Sequence, residues 1–150
     1  MTQQQGLMAG KKGLIMGVAN NHSLAWGIAK ALSEHGAEIA FTYQGEALGK
    51  RVVPLAESLG SDTVLECDVT DDASMDAVFA ALKEKWGKID YFVHAIGFSD
   101  KTQLRGNFSD TTRENFAMTM DISCFSFIAL AKRASELMND GGSMVTLTYY

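Results

Sequence analysis

Apolar residues along the chain follow two rhythms that take turns. Short apolar-rich runs occur at 12–18, 37–43, 63–67 and 89–94, and each precedes a stretch in which apolar residues recur every three to four positions. The short runs predict strands, and the wider spacing predicts helices with one buried face. Leu24, Ile28 and Leu32 mark a helix over 24–35, with Gly36 as its left-handed stop. A second helix over 46–59 ends at Gly60, and Pro54 inside it predicts a kink or a late start. A third, over 72–86, carries Met75, Val78, Phe79, Leu82 and Trp86 on one stripe and ends at Gly87. A polar loop over 98–110 leads into a long helix from about Thr111 to Met138. Gly141-Gly142 breaks that helix, and a fifth strand follows from Ser143 to Tyr150.

Strands alternating with helices of this length imply βαβ units with right-handed crossovers. The strands are almost continuously apolar, as strands covered on both faces are. The fold class expected is α/β, a doubly wound parallel sheet. At 150 residues and 47% hydrophobic, the chain is sized for one domain with a substantial core. It stops inside a strand-like run, so the expectation is a domain over 1–150 whose sheet is incomplete at its C-terminal end.

Charge and cysteines narrow the partners. A net charge of −5 repels phosphate backbones and anionic lipid, which argues against nucleic acid and membrane surfaces. It leaves room for a nucleotide, because backbone N–H groups can hold one phosphate pair locally. Cys67 and Cys124 form no CxxC pair and both lie in apolar stretches, so reduced, buried thiols in the cytoplasm are expected. Residues 1–10 lack the pattern of a signal peptide, and no apolar run approaches the ~18 residues of a membrane span.

Candidate chemistry sits at the strand ends. The first strand exits into Gly17-Val-Ala-Asn-Asn-His-Ser-Leu-Ala-Trp-Gly27 and then a helix, the context of a phosphate-binding turn. Gly17 permits a sharp exit, Ser23 can cap the helix or reach a phosphate, and Gly27 lets the helix pack close to sheet and ligand. The spacing is not GxGxxG, and by itself it equally describes a glycine turn with a serine cap. Its position after the first strand favours a Rossmann-type cofactor site. Gln44, at the end of the second strand, stands where such folds read the adenosine ribose. A neutral residue there discriminates less than an acid, and the lean is towards NAD(H). Asp68, at the end of the third strand, can accept from an adenine amino group or cap the next helix. His94-Ala-Ile-Gly-Phe98 ends the fourth strand with small residues that let a ligand approach the backbone. His94 itself reads as a hydrogen-bonded core residue rather than an acid or base. No His, Cys and carboxylate cluster has metal-ligand spacing, so no metal is expected.

The long helix carries Phe116, Met120, Cys124, Phe125, Phe127, Ile128, Leu130 and Leu137, which wrap more than one face. A second buried face calls for a partner subunit or for further chain to cover it.

Taken together, Gly17-Val-Ala-x3-Ser23-x3-Gly27, Phe41-Thr-Tyr-Gln44, Cys67-Asp-Val69, His94-Ala-Ile-Gly-Phe98 and Thr146-Leu-Thr-Tyr149 resemble, in order and spacing, the bacterial enoyl-acyl carrier protein reductases. These are short-chain dehydrogenases/reductases of fatty-acid elongation. The resemblance covers the chain from about Gly6 to Tyr150. Its specific part is His-x-Ile-Gly-Phe, where most of the superfamily has Asn-Asn-Ala-Gly. It implies that Gly17, Ser23 and Leu24 contact the cofactor's pyrophosphate and neighbouring groups. Gln44 would face adenosine, Asp68 and Val69 adenine, and Ile96 the nicotinamide-side ribose. Ser99 matches a substrate-contacting position, and Tyr149 the first of two tyrosines lining the acyl pocket. The implied reaction is hydride transfer from NADH to the β-carbon of a trans-2-enoyl thioester, with a phenol stabilising the enolate. The second tyrosine and a following lysine would fall just past residue 150, so the 150 residues alone are expected to be inactive. A homotetramer and an enoyl-acyl carrier protein substrate are the implied partners.

Three other readings are compatible with parts of the chain. A 3-oxoacyl reductase shares the fold but not the serine-type turn or His-Ala-Ile-Gly. A non-catalytic nucleotide-binding module needs only the cofactor half. An S-adenosylmethionine methyltransferase usually has an acid where Gln44 stands.

Overall fold

A computed structural model describes residues 6–148. The elements follow the two rhythms of the sequence: β1 Lys12–Met16, α1 Leu24–Glu34, β2 Glu38–Tyr43, α2 Glu46–Ser58, β3 Val64–Glu66, α3 Asp72–Trp86 and β4 Ile89–His94. Two short 3-10 turns, Lys101–Leu104 and Phe108–Asp110, occupy the polar loop. A continuous helical stretch then comprises α4 Arg113–Met120, a π segment Asp121–Phe125 and α5 Ser126–Leu137, followed by β5 Met138–Thr146.

All strand pairs are parallel, in the order β3-β2-β1-β4-β5. The chain builds outward from β1 in one direction, then crosses back to β4, so the strand order reverses between β1 and β4. Successive side chains of a strand point to opposite faces, and the core divides accordingly. Leu14 and Met16 face Phe92 and the buried side of α3 and α5, including Val78, Leu82 and Leu130. Ile15 faces Ile39, Phe41 and the buried side of α1 and α2, including Trp26, Ala29 and Val52. Each fully buried Leu, Ile or Phe contributes about 1.5–3 kcal/mol, so two separate cores hold helices to both faces. The doubly wound sheet expected from the pattern is therefore the one observed.

Four details differ from the expectation. Pro54 neither delays nor divides α2, which runs from Glu46 through the proline to Ser58. Burial of Val52 and Ala56 on either side of it outweighs one missing backbone hydrogen bond. β5 begins directly after α5, at Met138, and Gly141-Gly142 lies within it. Its register jumps from Ile89↔Met138 to Tyr91↔Ser143, and Gly141 takes φ 79° in the irregular stretch between them. Asn139 uses that irregularity to donate to Asp90 Oδ1 at 2.9 Å. Cys124 is exposed, because it falls on the outer side of the π segment, whereas Cys67 is buried as expected. Gly27 does not serve close packing on the sheet: a Cβ there would meet nothing within 4 Å.

Candidate functional site

A cleft of about 340 Å³ opens at the carboxyl ends of the strands, a volume typical of small-molecule sites. Met16, Gly17, Val18 and Ala19 form its floor where β1 ends. Thr42, Tyr43 and Gln44 close one side with Cys67 and Val69, and Ala95, Ile96, Gly97 and Phe98 close the other. Leu48 of α2 and Ile122 of the π segment complete the lining. The cleft straddles the β1/β4 switch point, where open α/β sheets bind their ligands.

Gly17 is required by the crossing of two chain segments. Its φ is 112°, and a Cβ there would overlap the carbonyl oxygen of Ala95. The exits of β1 and β4 thus run in contact, and the Ala95 N–H donates to the Met16 carbonyl at 2.9 Å. Beyond Gly17, Ser23 organises the turn. Its hydroxyl accepts from the N–H groups of Ala19 at 3.0 Å and Asn20 at 3.1 Å. Asn20 Oδ1 in turn accepts from the His22 N–H at 2.8 Å. Ser23 is the N-cap residue of α1 by position, yet its side chain makes no capping bond and the first turn holds no acid. The expected serine cap is therefore replaced by a serine latch on the loop. The positive end of the helix dipole is thus left without a side-chain cap or an acid in its first turn.

At the third strand the alternatives for Asp68 separate. Asp71 caps α3 by accepting from the Ala73 N–H at 3.0 Å, so Asp68 is not the cap. Asp68 Oδ1 instead accepts from the Thr70 N–H at 2.9 Å and the Thr70 hydroxyl at 2.7 Å. Those two bonds, with a smaller share from the Gln44 side chain, hold its carboxyl below the usual aspartate range. It is a fixed anion beside the cleft. Burial pushes the neighbouring Cys67 thiol up to about 11, so it lines the wall as a neutral thiol rather than a nucleophile.

The far wall is tied to the long helix. The Phe98 N–H donates to Ser123 Oγ at 3.0 Å, and Phe98 O lies 3.2 Å from the same hydroxyl. Ser99 Oγ accepts from Thr119 Oγ1 at 2.9 Å and from Asn115 Nδ2 at 3.3 Å, and Asn115 Oδ1 accepts from the Asp100 N–H at 3.2 Å. His94 is a fully buried, hydrogen-bonded core residue, as its place on an apolar strand predicts.

Of the residues singled out in the sequence, Gly17, Gln44, Val69 and Ile96 line the cleft together. Ser23 and Asp68 stand behind the lining, holding its loops. Leu24 is 75% exposed at the start of α1. Ser99 lies beyond the Phe98 wall, bonded to α4. Tyr149 lies outside the described residues. Sequence reading missed Leu48, which the helical stripe of α2 could have flagged, and Ile122, for which the 3.6-residue period offers no signal because a π segment interrupts it.

This sheet order, with a cleft at the switch point and a glycine turn for its floor, places the chain among the Rossmann-type α/β proteins. The family model described as enoyl-(acyl carrier protein) reductase matches residues 17–150. The chain belongs to that family. It is 68% identical over 144 residues to "Enoyl-[acyl-carrier-protein] reductase [NADH] 2" of Rhizobium meliloti, covering 96% of this chain and 54% of the relative. Among solved structures, FabI of Candidatus Liberibacter asiaticus superposes with a TM-score of 0.94 at 54% identity, covering 96% of this chain and 56% of that one. The reductase of Anaplasma phagocytophilum in complex with NAD matches with a TM-score of 0.93 at 54% identity, covering 97% and 56%. The chain thus spans about half the length of the relatives it matches.

Proposed function

We propose that this chain provides the cofactor-binding part of an NADH-dependent enoyl-acyl carrier protein reductase, an oxidoreductase of fatty-acid biosynthesis. The observation that carries this reading is the cleft at the β1/β4 switch point, floored by Gly17 and walled by Ala95–Phe98. The cleft suits a dinucleotide because Gly17 and Ala19 let a ligand approach the backbone of its floor, and the helix that follows this floor begins without a side-chain cap. NADH bound there supplies a hydride. Gly17, Ser23 and Leu24 serve the pyrophosphate side: Gly17 by leaving space, Ser23 by fixing the Ala19–Asn20 backbone, Leu24 through the N–H that opens α1. Gln44 faces adenosine, while Asp68 and Val69 take the adenine, Asp68 as the anion that accepts from its amino group. Ile96 lies along the nicotinamide-side ribose, Ser99 on the substrate side, and Tyr149 in the acyl pocket.

Around the nicotinamide end, the described lining consists of Gly17, Ala95, Ile96, Gly97, Phe98 and Ile122. None of these side chains can give or take a proton, so this wall excludes water and orients, and the enolate must be met by groups from elsewhere. Residues 1–150 alone are accordingly proposed to form a dinucleotide-binding domain that binds NADH without turning over substrate, since among the described residues nothing in this wall supplies the proton. The substrate partner is an enoyl-acyl carrier protein, and the working form is a cytoplasmic homotetramer. Two observations support that form: cysteines that are free among the described residues and the exposed apolar side chains of the long helix.

The test is direct. The protein is titrated with NADH and NADPH by nicotinamide fluorescence, then assayed with enoyl and 3-oxoacyl thioesters. The expected result is binding that favours NADH, and reduction of the enoyl thioester by the full-length protein only. Turnover of 3-oxoacyl thioesters alone would assign a sister reductase. NADH binding with no turnover in the full-length protein would assign a non-catalytic module.

A further inference from the structure

His94 is fully buried outside the cleft lining, and both of its ring nitrogens are engaged. Nδ1 lies 2.9 Å from Thr146 Oγ1 at the end of β5, and Nε2 lies 2.7 Å from Ser126 Oγ at the start of α5. Ser126, also fully buried, donates its hydroxyl proton to the Ile122 carbonyl at 2.6 Å. A serine hydroxyl has one proton. With that proton on Ile122, Ser126 can only accept from His94, so Nε2 carries the imidazole hydrogen. Nδ1 is then bare and accepts from Thr146. The ring is held between Phe92 and Phe127, at centroid distances of 6.3 Å and 5.4 Å. One directed chain of hydrogen bonds therefore runs from Thr146 through His94 and Ser126 to the carbonyl of Ile122.

That carbonyl belongs to the π segment, Asp121–Phe125. Such segments are rare and cluster at functional sites. A serine bonding back four residues bends a helix, and this serine is locked from behind by the histidine. The same segment brings Ile122 into the cleft lining and sets Ser123 against the Phe98 backbone. We propose that His94 is a positioning residue of the cleft: by donating from Nε2 to Ser126 it holds the π segment that presses Ile122 and Ser123 against the Ile96–Phe98 wall. The role rests on the functional reading above, because that wall is where the nicotinamide lies. An apolar residue could fill the same volume, but it could not orient Ser126.

The test uses the full-length protein. In His94→Gln the amide nitrogen reaches the Nε2 position and keeps the donation to Ser126. In His94→Asn the shorter amide reaches only the Nδ1 position. His94→Asn and Ser126→Ala are expected to lower kcat by roughly 10- to 100-fold, the scale of a misplaced reacting group. The NADH dissociation constant is expected to change little, since the adenosine half is held on β2 and β3. His94→Gln is expected to recover most of the lost kcat. Nitrogen-15 spectra of the histidine-labelled wild-type protein, which need no variant to fold, are expected to show His94 as the Nε2–H tautomer. An Nδ1–H tautomer in an active enzyme overturns this inference alone. So does equal kcat per folded molecule in the asparagine and glutamine variants, with losses that follow thermal stability only. A wild-type protein that neither binds NADH nor reduces an enoyl thioester overturns the functional reading, and the role at the cleft with it.

Discussion

Two residues on adjacent strand ends carry opposite kinds of constraint. Gly17 is constrained by space, with a φ of 112° and the Ala95 carbonyl where a side chain would start. Gly17→Ala combines left-handed strain with a backbone overlap, so it is expected to cost about 2–4 kcal/mol and to weaken NADH binding. Urea denaturation and fluorescence titration check both. His94 is constrained by proton placement, and its burial holds it below the ordinary imidazole value. The folded state keeps it neutral, while the unfolded chain takes up a proton below about pH 6.5. The unfolded state then binds more protons, so stability rises with pH in that window and falls on acidification. Below about pH 6.5 the wild type is expected to lose stability at up to about 1.4 kcal/mol per pH unit relative to His94→Gln. Urea midpoints of the two proteins between about pH 5 and 8 measure this, and parallel profiles would contradict it. The apolar surroundings of His94 were legible in the sequence. Its partners were not, because Ser126 and Thr146 lie 32 and 52 residues away.

Among the elements, the long helix shows most clearly where a periodic reading works and where it stops. In α5 the buried set Ala129, Leu130, Ala134 and Leu137 follows helical spacing and packs on α3 and the sheet. Leu130→Ala is expected to cost about 2–5 kcal/mol, the range for truncation in a closed core, read as a lowered urea midpoint. Arg133 adds a polar tie to α3, donating from Nε to Asp76 at 2.6 Å and from one terminal nitrogen to Asp72 at 3.1 Å. The guanidinium is mostly covered and the aspartates are largely exposed, so solvent screens much of the attraction. Arg133→Ala is expected to cost about 1 kcal/mol, with part of the loss abolished by high salt. Upstream, the π segment shifts the faces relative to any uniform period. This is why Ile122 turns into the cleft and Cys124 turns out to solvent. The shift is set by Ser126 and His94, not by the apolar pattern. Likewise Gly141-Gly142 reads as a helix stop in sequence but lies inside β5, because pairing with β4 begins as soon as α5 ends.

For the whole molecule, the doubly wound sheet leaves several large apolar side chains of the long helix uncovered. Phe116, Phe125 and Ile128 are 61%, 55% and 60% exposed there. Several large apolar side chains this exposed on one helical stretch call for a covering surface, which fits the proposed assembly of copies of the protein. Phe116→Glu with Ile128→Glu in the full-length protein is expected to give a lower mass by light scattering than the wild type. An unchanged mass would remove these side chains from the assembly.

What the sequence determined by itself is the class of the fold and the location of the cleft. Short continuous apolar runs state locally which segments are strands covered on both faces, a 3.6-residue period states which face each helix buries, and Gly36, Gly60 and Gly87 state where the first three helices stop. Four apolar strands separated by such helices leave little choice but a parallel sheet with its ligand at the strand ends. Gly17, Gln44, Val69 and Ile96 were accordingly found together. Only the tertiary structure decided that the Ser23 hydroxyl latches the loop, that Asp68 bonds Thr70 instead of capping α3, and that His94 joins Thr146 of β5 to Ser126 of α5. The first two are local bonds set by the path of a loop, and the third depends on sheet register and on how the long helix crosses the sheet. Hydrophobic periodicity carries no information about either, because burial is non-directional and a hydrogen bond is not.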